Sequence, residues 1–217
     1  MKTNTILVIL FLVISSSIYG QTNIERGEIT DVRDGNKYQT VTINNTIWLA
    51  ENMKFKTENS YILVDNTSSF KSECHYYPME ESEKVCPNGF RIPKESEWEE
   101  YVKILMELKN VPMDSIEYIT LSNRQGSSKE MKNPISKLTF FEEPNPLNLE
   151  ATGIIQGNKH LIDGAMSFWS RKDGSNDLKY HLHIEANLYS NHSHKHHIIA
   201  RKKKKRKFHI RCVKNNN

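Results

Sequence analysis

The chain has 217 residues, 37% of them hydrophobic and 26% charged, with a formal net charge of +4 and three cysteines. That length suffices for one domain with a real core, and the modest apolar content excludes a polytopic membrane protein. The thirty basic and twenty-six acidic residues are unevenly spread.

The chain opens with "MKTNTILVILFLVISSSIYGQ", which has a positive Lys2, an apolar run from Ile6 to Ile14, and small or polar residues up to Gln21. This is the pattern of a secretory signal peptide, with cleavage near Gly20. The apolar run is short for a bilayer span. No cysteine near the cleavage point offers a site for a lipid anchor, and no later segment reads as membrane-spanning. Residues 1–20 are expected to be a leader and residues 21–217 a single exported, soluble domain.

"GEITDVRDGNKYQTVTINNTIWLAENM", residues 27–53, reads as a three-strand meander. Asp34-Gly35 suits a tight primed turn, because both residues tolerate positive φ. Val41 and Ile43 alternate with Thr40 and Thr42 as in a half-buried strand, and Asn44-Asn45 makes the next turn. Asp31, Asp34 and Asn36 lack the later glutamate and the loop length of an EF-hand, so a plain hairpin is the better reading.

Residues 53–85 are polar and irregular around the aromatic island "HYYP". "CPNGFRIPKESEWEEYVKIL", residues 86–105, then announces a helix from about Pro93 to Leu108. Pro93 suits an opening position, and Glu95, Glu97, Glu99 and Glu100 suit the positive end of the helix dipole. Trp98, Tyr101, Val102 and Leu105 recur at helical spacing and form one apolar face. Residues 110–150 read as a long loop-dominated stretch with room for a second short helix. From 151 the chain turns strand-like again in "TGIIQGN", "MSFWSR", "KYHLHIEA" and "KFHIRCV", separated by Gly, Asp and Asn turn signals. In the last, Phe208, Ile210 and Cys212 share a face.

Three cysteines in an oxidising compartment imply one disulfide and one remaining thiol, and spacing alone leaves all three pairings of Cys74, Cys86 and Cys212 open. Residues 192–217 carry ten Lys and Arg and no acid, whereas residues 21–191 carry nineteen bases against twenty-six acids. An acidic body therefore precedes a strongly basic end.

Three separated pieces match one family in order. The meander follows G-x-x-x-D-x-R-D-G-x-x-Y-x-T-V-x-I and then W-x-A-E-N. "CPNGFRIPKESEWEE" follows C-P-x-G-W-x-x-P-x-x-x-E-W, with Phe90 in place of the tryptophan. "FWSRKDG" and the final "IRCVK" follow F-W-S and V-R-C-V-K. The chain, from about residue 27 to 214, resembles the Fibrobacter succinogenes major paralogous domain family of exported bacterial proteins, and its helix start is similar to that of the wider C-type-lectin-like fold, which includes sulfatase-modifying enzymes. The resemblance implies an α+β, C-type-lectin-like fold of antiparallel strands with one main helix and long irregular loops. It implies a disulfide between Cys86 and Cys212, which would close a loop of about 125 residues and contribute on the order of 4 kcal/mol in the chain-entropy model. Cys74 would remain a thiol open to reagents. It also makes Trp48, Trp98 and Trp169 core residues that hold sheet, helix and turn together. The loops around "SRKDGSND" depart from the family pattern, so surface specificity does not carry over.

Four local signals invite chemistry. Glu143-Pro144-Asn145 is the tripeptide with which mannose-type lectins bind calcium and sugar, but the partner Trp-Asn-Asp is absent and only Asn176 and Asp177 offer a remote substitute. His181, His183, His192, His194, His196 and His197 crowd into seventeen positions. On paired strands they would gather imidazoles suited to zinc, nickel or copper, although a solvated, soluble edge is the plainer account. The run Arg201, Lys202, Lys203, Lys204, Lys205, Arg206 and Lys207 would suggest nuclear import or nucleic acid in a cytosolic protein. Behind a signal peptide, its natural partners are acidic polysaccharide or other anionic envelope components, and the plainer account is an exposed loop. No Gly-x-Ser-x-Gly elbow or Ser-His-Asp order stands out. A structural disulfide would also consume the paired cysteines that sulfatase-modifying chemistry requires.

The expected function is thus an exported, non-catalytic, lectin-like module, monomeric and without cofactor, metal or nucleic acid, that binds a surface or matrix component such as polysaccharide. A structural or protein-interaction component of the bacterial cell envelope is the alternative, ahead of a sulfatase-modifying-type enzyme. Its location is extracellular, periplasmic or on the cell surface.

Overall fold

The computed structural model describes residues 24–63, 73–112, 117–123, 126–132, 140–150, 152–157, 159–161, 166–174, 180–184, 188–193 and 206–215. Residues 1–23, which include the expected leader, and the first five residues of the basic run lie outside them.

The meander forms as an antiparallel sheet. Strand β1 (Ile24–Thr30) pairs with β2 (Lys37–Ile43), and β2 with β3 (Thr46–Leu49). The first connection is wider than the two-residue turn expected. It runs from Asp31 to Asn36, closed by Asp31 N–H donating to the Asn36 carbonyl at 2.8 Å, and only Gly35 takes a positive φ, of 77°. The wider loop is held by its own side chains, Arg33 bonded back onto Asp31 and Asn36 onto Asp34. Asn44, at φ 51°, makes the second turn as the sequence suggests.

The helix, α1, spans Glu95–Leu108. Pro93 does not open it. Its carbonyl accepts the Arg171 N–H at 3.0 Å, in an extended bridge that places Lys94 beside Arg171, and the helix begins two residues later. Two side chains then take up N–H groups that the first turn leaves open. Glu97 accepts from the Lys94 N–H at 2.7 Å. Asp173, from the distant "RKDG" turn, accepts from the Ser96 N–H at 2.9 Å and the Ser96 hydroxyl at 2.6 Å. A residue remote in sequence thus caps the helix.

Between the meander and α1 lie the short antiparallel strands β4 (Tyr61–Leu63) and β5 (Cys74–Tyr76) and a 3-10 helix, Met79–Lys84. After α1 the structure departs from expectation. In place of loop and a second helix stands a hairpin of β6 (Glu117–Asn123) and β7 (Gly126–Lys132). The remaining strands are β8 (Ile154–Gln156), β9 (Lys159–Leu161), β10 (Met166–Ser170), β11 (Tyr180–Ile184), β12 (Leu188–Ser193), β13 (Arg206–Lys207) and β14 (Val213–Asn215). They complete a five-stranded sheet ordered β10-β11-β12-β7-β6, a three-stranded sheet β13-β8-β9, and the first sheet as β1-β2-β3-β14. Every strand pairing is antiparallel. The protein is a small α+β fold with one main helix.

Residues 206–215 join these sheets. β13 pairs with β8, Phe208 bridges Tyr77, His209 lies between Ser167 and Trp169 of β10, and Val213 pairs with Trp48 while bridging Arg91. Between these points the Ile210 carbonyl accepts from Met53 N–H and the Cys212 carbonyl from Leu49 N–H, each at 2.9 Å. Phe208, Ile210 and Cys212 share one apolar cluster with Trp169, Tyr77 and Cys86. Val213 belongs to another, built from Trp48, Trp98, Phe168 and the apolar face of α1. Cys86 and Cys212 are bonded, with Cα atoms 5.7 Å apart across 126 positions of sequence. Cys74 is not open to reagents as expected, because β5 holds it 6% exposed against Tyr76 and Ile155.

Peptide mapping without reductant should recover one linked pair, Cys86 with Cys212. Cys74 should resist a thiol reagent in the folded protein and react in denaturant. Trp98 is fully buried between Trp48 and Phe168, with ring centroids at 4.9 and 5.0 Å. Trp98→Ala should therefore cost about 3–5 kcal/mol in equilibrium unfolding, whereas Lys94→Ala, on an exposed side chain, should stay within about 0.5 kcal/mol.

Candidate functional site

The motif residues make contacts with one another, half-buried at Arg33 and Arg91 and enclosed at Arg211 and the tryptophans. Arg33 forms a two-pronged pair with Asp31, Nε to Oδ1 at 2.9 Å and Nη2 to Oδ2 at 2.6 Å. The same guanidinium donates to the carbonyls of Lys84 and Val85 at 2.9 and 2.7 Å and lies 4.0 Å from the centre of the Phe55 ring. The D-x-R-D-G turn thereby holds the end of the 3-10 helix next to Cys86. The Arg33 bonds keep the Asp31 carboxyl below its ordinary pKa, and this acid is committed to a pair. Asp34 bonds Asn36. No open carboxylate set for calcium remains in this loop.

The other motifs behave alike. Arg91 grips Glu97 with two bonds of 2.7 and 2.6 Å, fixing the entry of α1. Trp169 donates its indole N–H to the Tyr77 carbonyl at 2.8 Å. Trp48, Trp98 and Trp169 are all buried. Arg211 of the I-R-C-V-K motif is fully enclosed and donates to the Leu49 carbonyl at 3.1 Å and to Asn52 of W-x-A-E-N at 2.7 Å. Burial lowers its pKa to about 9, so near neutral pH the guanidinium still carries its charge within the core.

Of the residues expected to meet ligands, Asn145 is buried and spends its amide on Leu149, donating to the carbonyl and accepting the N–H, both at 2.9 Å. Glu143 accepts the Asn145 N–H at 2.9 Å. This tripeptide staples its own loop, while Asn176 and Asp177 lie outside the described residues. Arg201, Lys202, Lys203, Lys204 and Lys205 lie outside them as well. Arg206 and Lys207 are described, and they are not fully solvated. Both are half-buried in β13, Arg206 has its pKa lowered by desolvation, and Lys207 donates to the Asn59 carbonyl. The basic run is thus anchored to the body at its C-terminal end. His181, His183 and His192 lie on β11 and β12, with His181 opposite His192; His194, His196 and His197 are outside the described residues.

Sequence reading missed one polar cluster between β5, β8, β9 and the C-terminal segment. The His209 Nδ1 donates to the His75 carbonyl at 2.9 Å, which leaves Nε2 to accept from the Thr152 hydroxyl at 2.6 Å. The Thr152 carbonyl in turn accepts from the Tyr76 hydroxyl at 2.6 Å and from His160 Nε2 at 2.7 Å. A hydroxyl, an imidazole and an orienting carbonyl are the parts of an activated nucleophile. Here Thr152 and His209 are enclosed, and burial pushes the His209 pKa down to about 3. Such an imidazole is a weak base near neutral pH. The arrangement fastens the C-terminal segment to β5 and β8. Only its members' separation in sequence hid it, since Thr152 and His209 are 57 positions apart.

The sign of its pH dependence follows. The unfolded chain binds a proton at His209 near the ordinary value of 6.5 and the folded protein only near 3. Stability from this group is complete above pH 6.5 and is lost as pH falls towards 3, by up to about 4 kcal/mol. Urea unfolding at pH 7 and pH 4 should show a smaller loss in His209→Gln than in the wild type, each measured against its own pH 7 value. Equal losses would assign the acid sensitivity to carboxylates such as Asp31.

No helix among the described residues is long and apolar enough to cross a membrane. No curated protein and no solved structure matches the chain. The model of the Fibrobacter succinogenes major domain matches residues 41–214, from the second strand of the meander to the final motif. The chain belongs to the Fibrobacter succinogenes major domain family.

Proposed function

We propose that this is an exported, non-catalytic module of C-type-lectin-like fold that binds an acidic polysaccharide or other anionic envelope component through Arg201, Lys202, Lys203, Lys204, Lys205, Arg206 and Lys207. The observation that carries this reading is the anchoring of the run. β13 is paired to β8, and Lys207 is bonded to Asn59, so seven consecutive cations are tied to an acidic body. Export is supported by the leader pattern and is compatible with a buried disulfide, a bond of oxidising compartments. The lectin-like fold is supported by the meeting of β1, β2, β3 and β14 in one sheet and by the disulfide from the helix entry to the last strand.

Charge is favoured over sugar stacking as the basis of recognition. Among the residues whose burial is described, Val32 is the one large hydrophobic that stands exposed. The calcium-type tripeptide is occupied by its own loop.

Such attraction is screened over about 8 Å at physiological ionic strength. Mature protein should bind a heparin resin at low salt and elute as salt rises. Replacing Lys202 to Lys205 by Gln should abolish retention and leave the thermal midpoint in place. Undiminished retention would overturn the reading, and a collapse of the midpoint would make the lysines part of the architecture.

A further inference from the structure

Three of the chain's nine histidines lie on one hairpin, and its register brings them together. β11 and β12 pair so that His181 lies opposite His192 and His183 opposite Ser190. Successive positions of a strand alternate between faces. Positions 181 and 183 therefore share a face, and pairing puts 190 and 192 on that same face. The next strand, β7, adds Ser128 opposite His192 and Glu130 opposite Ser190. On the other side β10 sets Trp169 opposite His181 and Ser167 opposite His183.

Solubility alone accounts poorly for this pattern. The opposite face of the hairpin carries Leu182, Ile184 and Tyr189, so the hairpin is two-sided. A merely soluble face is served by Ser, Thr, Lys or Glu, and the shared face does carry Ser190, opposite His183. Three histidine positions that are mutually adjacent are a stronger pattern. Directly opposite residues of an antiparallel pair have Cβ atoms about 4.5–5.5 Å apart, and the next same-face position along a strand is about 7 Å away. A triangle of that size suits a cation held by nitrogen ligands at about 2.0–2.1 Å. Imidazole is largely neutral at pH 7 and is the commonest side-chain ligand for such ions.

We propose that this juxtaposition of His181, His183 and His192 binds one divalent cation of the zinc class. The proposal does not depend on the polyanion reading, since the basic run lies on another segment. A nitrogen-only set of three favours zinc, copper or nickel over calcium and magnesium, which take oxygen. It also leaves a fourth place for water or an exogenous ligand.

The test is calorimetric titration of zinc chloride into mature protein previously dialysed against chelator. One equivalent should bind with a dissociation constant below about 1 µM. His181→Asn and His192→Asn should each weaken binding on the order of 100-fold. The double variant His196→Asn/His197→Asn, from the same histidine-rich stretch, should bind as the wild type does. Loss of binding in that double variant, or weak uptake without defined stoichiometry in the wild type, would overturn the proposal. Circular dichroism of the metal-free variants monitors the fold. If His192→Asn does not fold, His183→Asn supplies the decisive comparison. The Lys202–Lys205 glutamine variant should retain its zinc, which separates failure of this site from failure of the polyanion reading.

Discussion

Residues 206–215 must be hydrogen-bonded to several sheets at once, and the rest of the architecture depends on that requirement. Attachments at β8, Tyr77, β10, Met53, Arg91 and β3 join parts of the chain from residue 46 to residue 169. A backbone N–H or carbonyl left unpaired in such an interior costs about as much as a lost hydrogen bond, so each attachment constrains its neighbours. The Cys86–Cys212 bond sits on the same segment. It restricts the unfolded chain most because the loop it closes is long. Arg33, acting on the carbonyls of residues 84 and 85, fixes the other side of that bond.

Two guanidiniums illustrate different ways of bringing a cation inside. Arg33 carries its own anion, Asp31, two positions away, and the pair packs on Phe55. Arg211 has no carboxylate within bonding distance and is held by a carbonyl and an amide oxygen. A buried charge so placed is costly unless its donors are satisfied, and W-x-A-E-N supplies acceptors to two of its nitrogens while the Nε–H makes no hydrogen bond. Residues that look like chemistry in the sequence are used here to hold the frame.

Much of this was legible in the sequence, and the losses have physical reasons. Trp98, Tyr101, Val102 and Leu105 gave away α1 because a single buried face imposes its period. Phe208, Ile210 and Cys212 did the same for the last segment. The β6–β7 hairpin was illegible, since "GSSKEMK" is almost wholly polar and a ladder of backbone bonds can form without an apolar alternation. Pro93 misled because a proline suited to a first helical turn also suits the extended residue before it. The spans of the basic run and the histidine stretch could be read directly, but the pairing of His181 with His192 and the seating of Lys207 on Asn59 could not. Register and long-range contact are properties of the folded chain. The Thr152–His209 contact was invisible for the same reason.

The C-terminal position of the central segment also sets an order of events. A chain lacking residues 206–215 leaves β3, β8 and β10 each without one of its partners, and leaves Cys86 without its mate. Contacts of such long sequence separation form late, because loop closure must precede any gain from them. Until that segment docks, no complete native state is available to the chain, and its docking is the step that closes three sheets and the disulfide together.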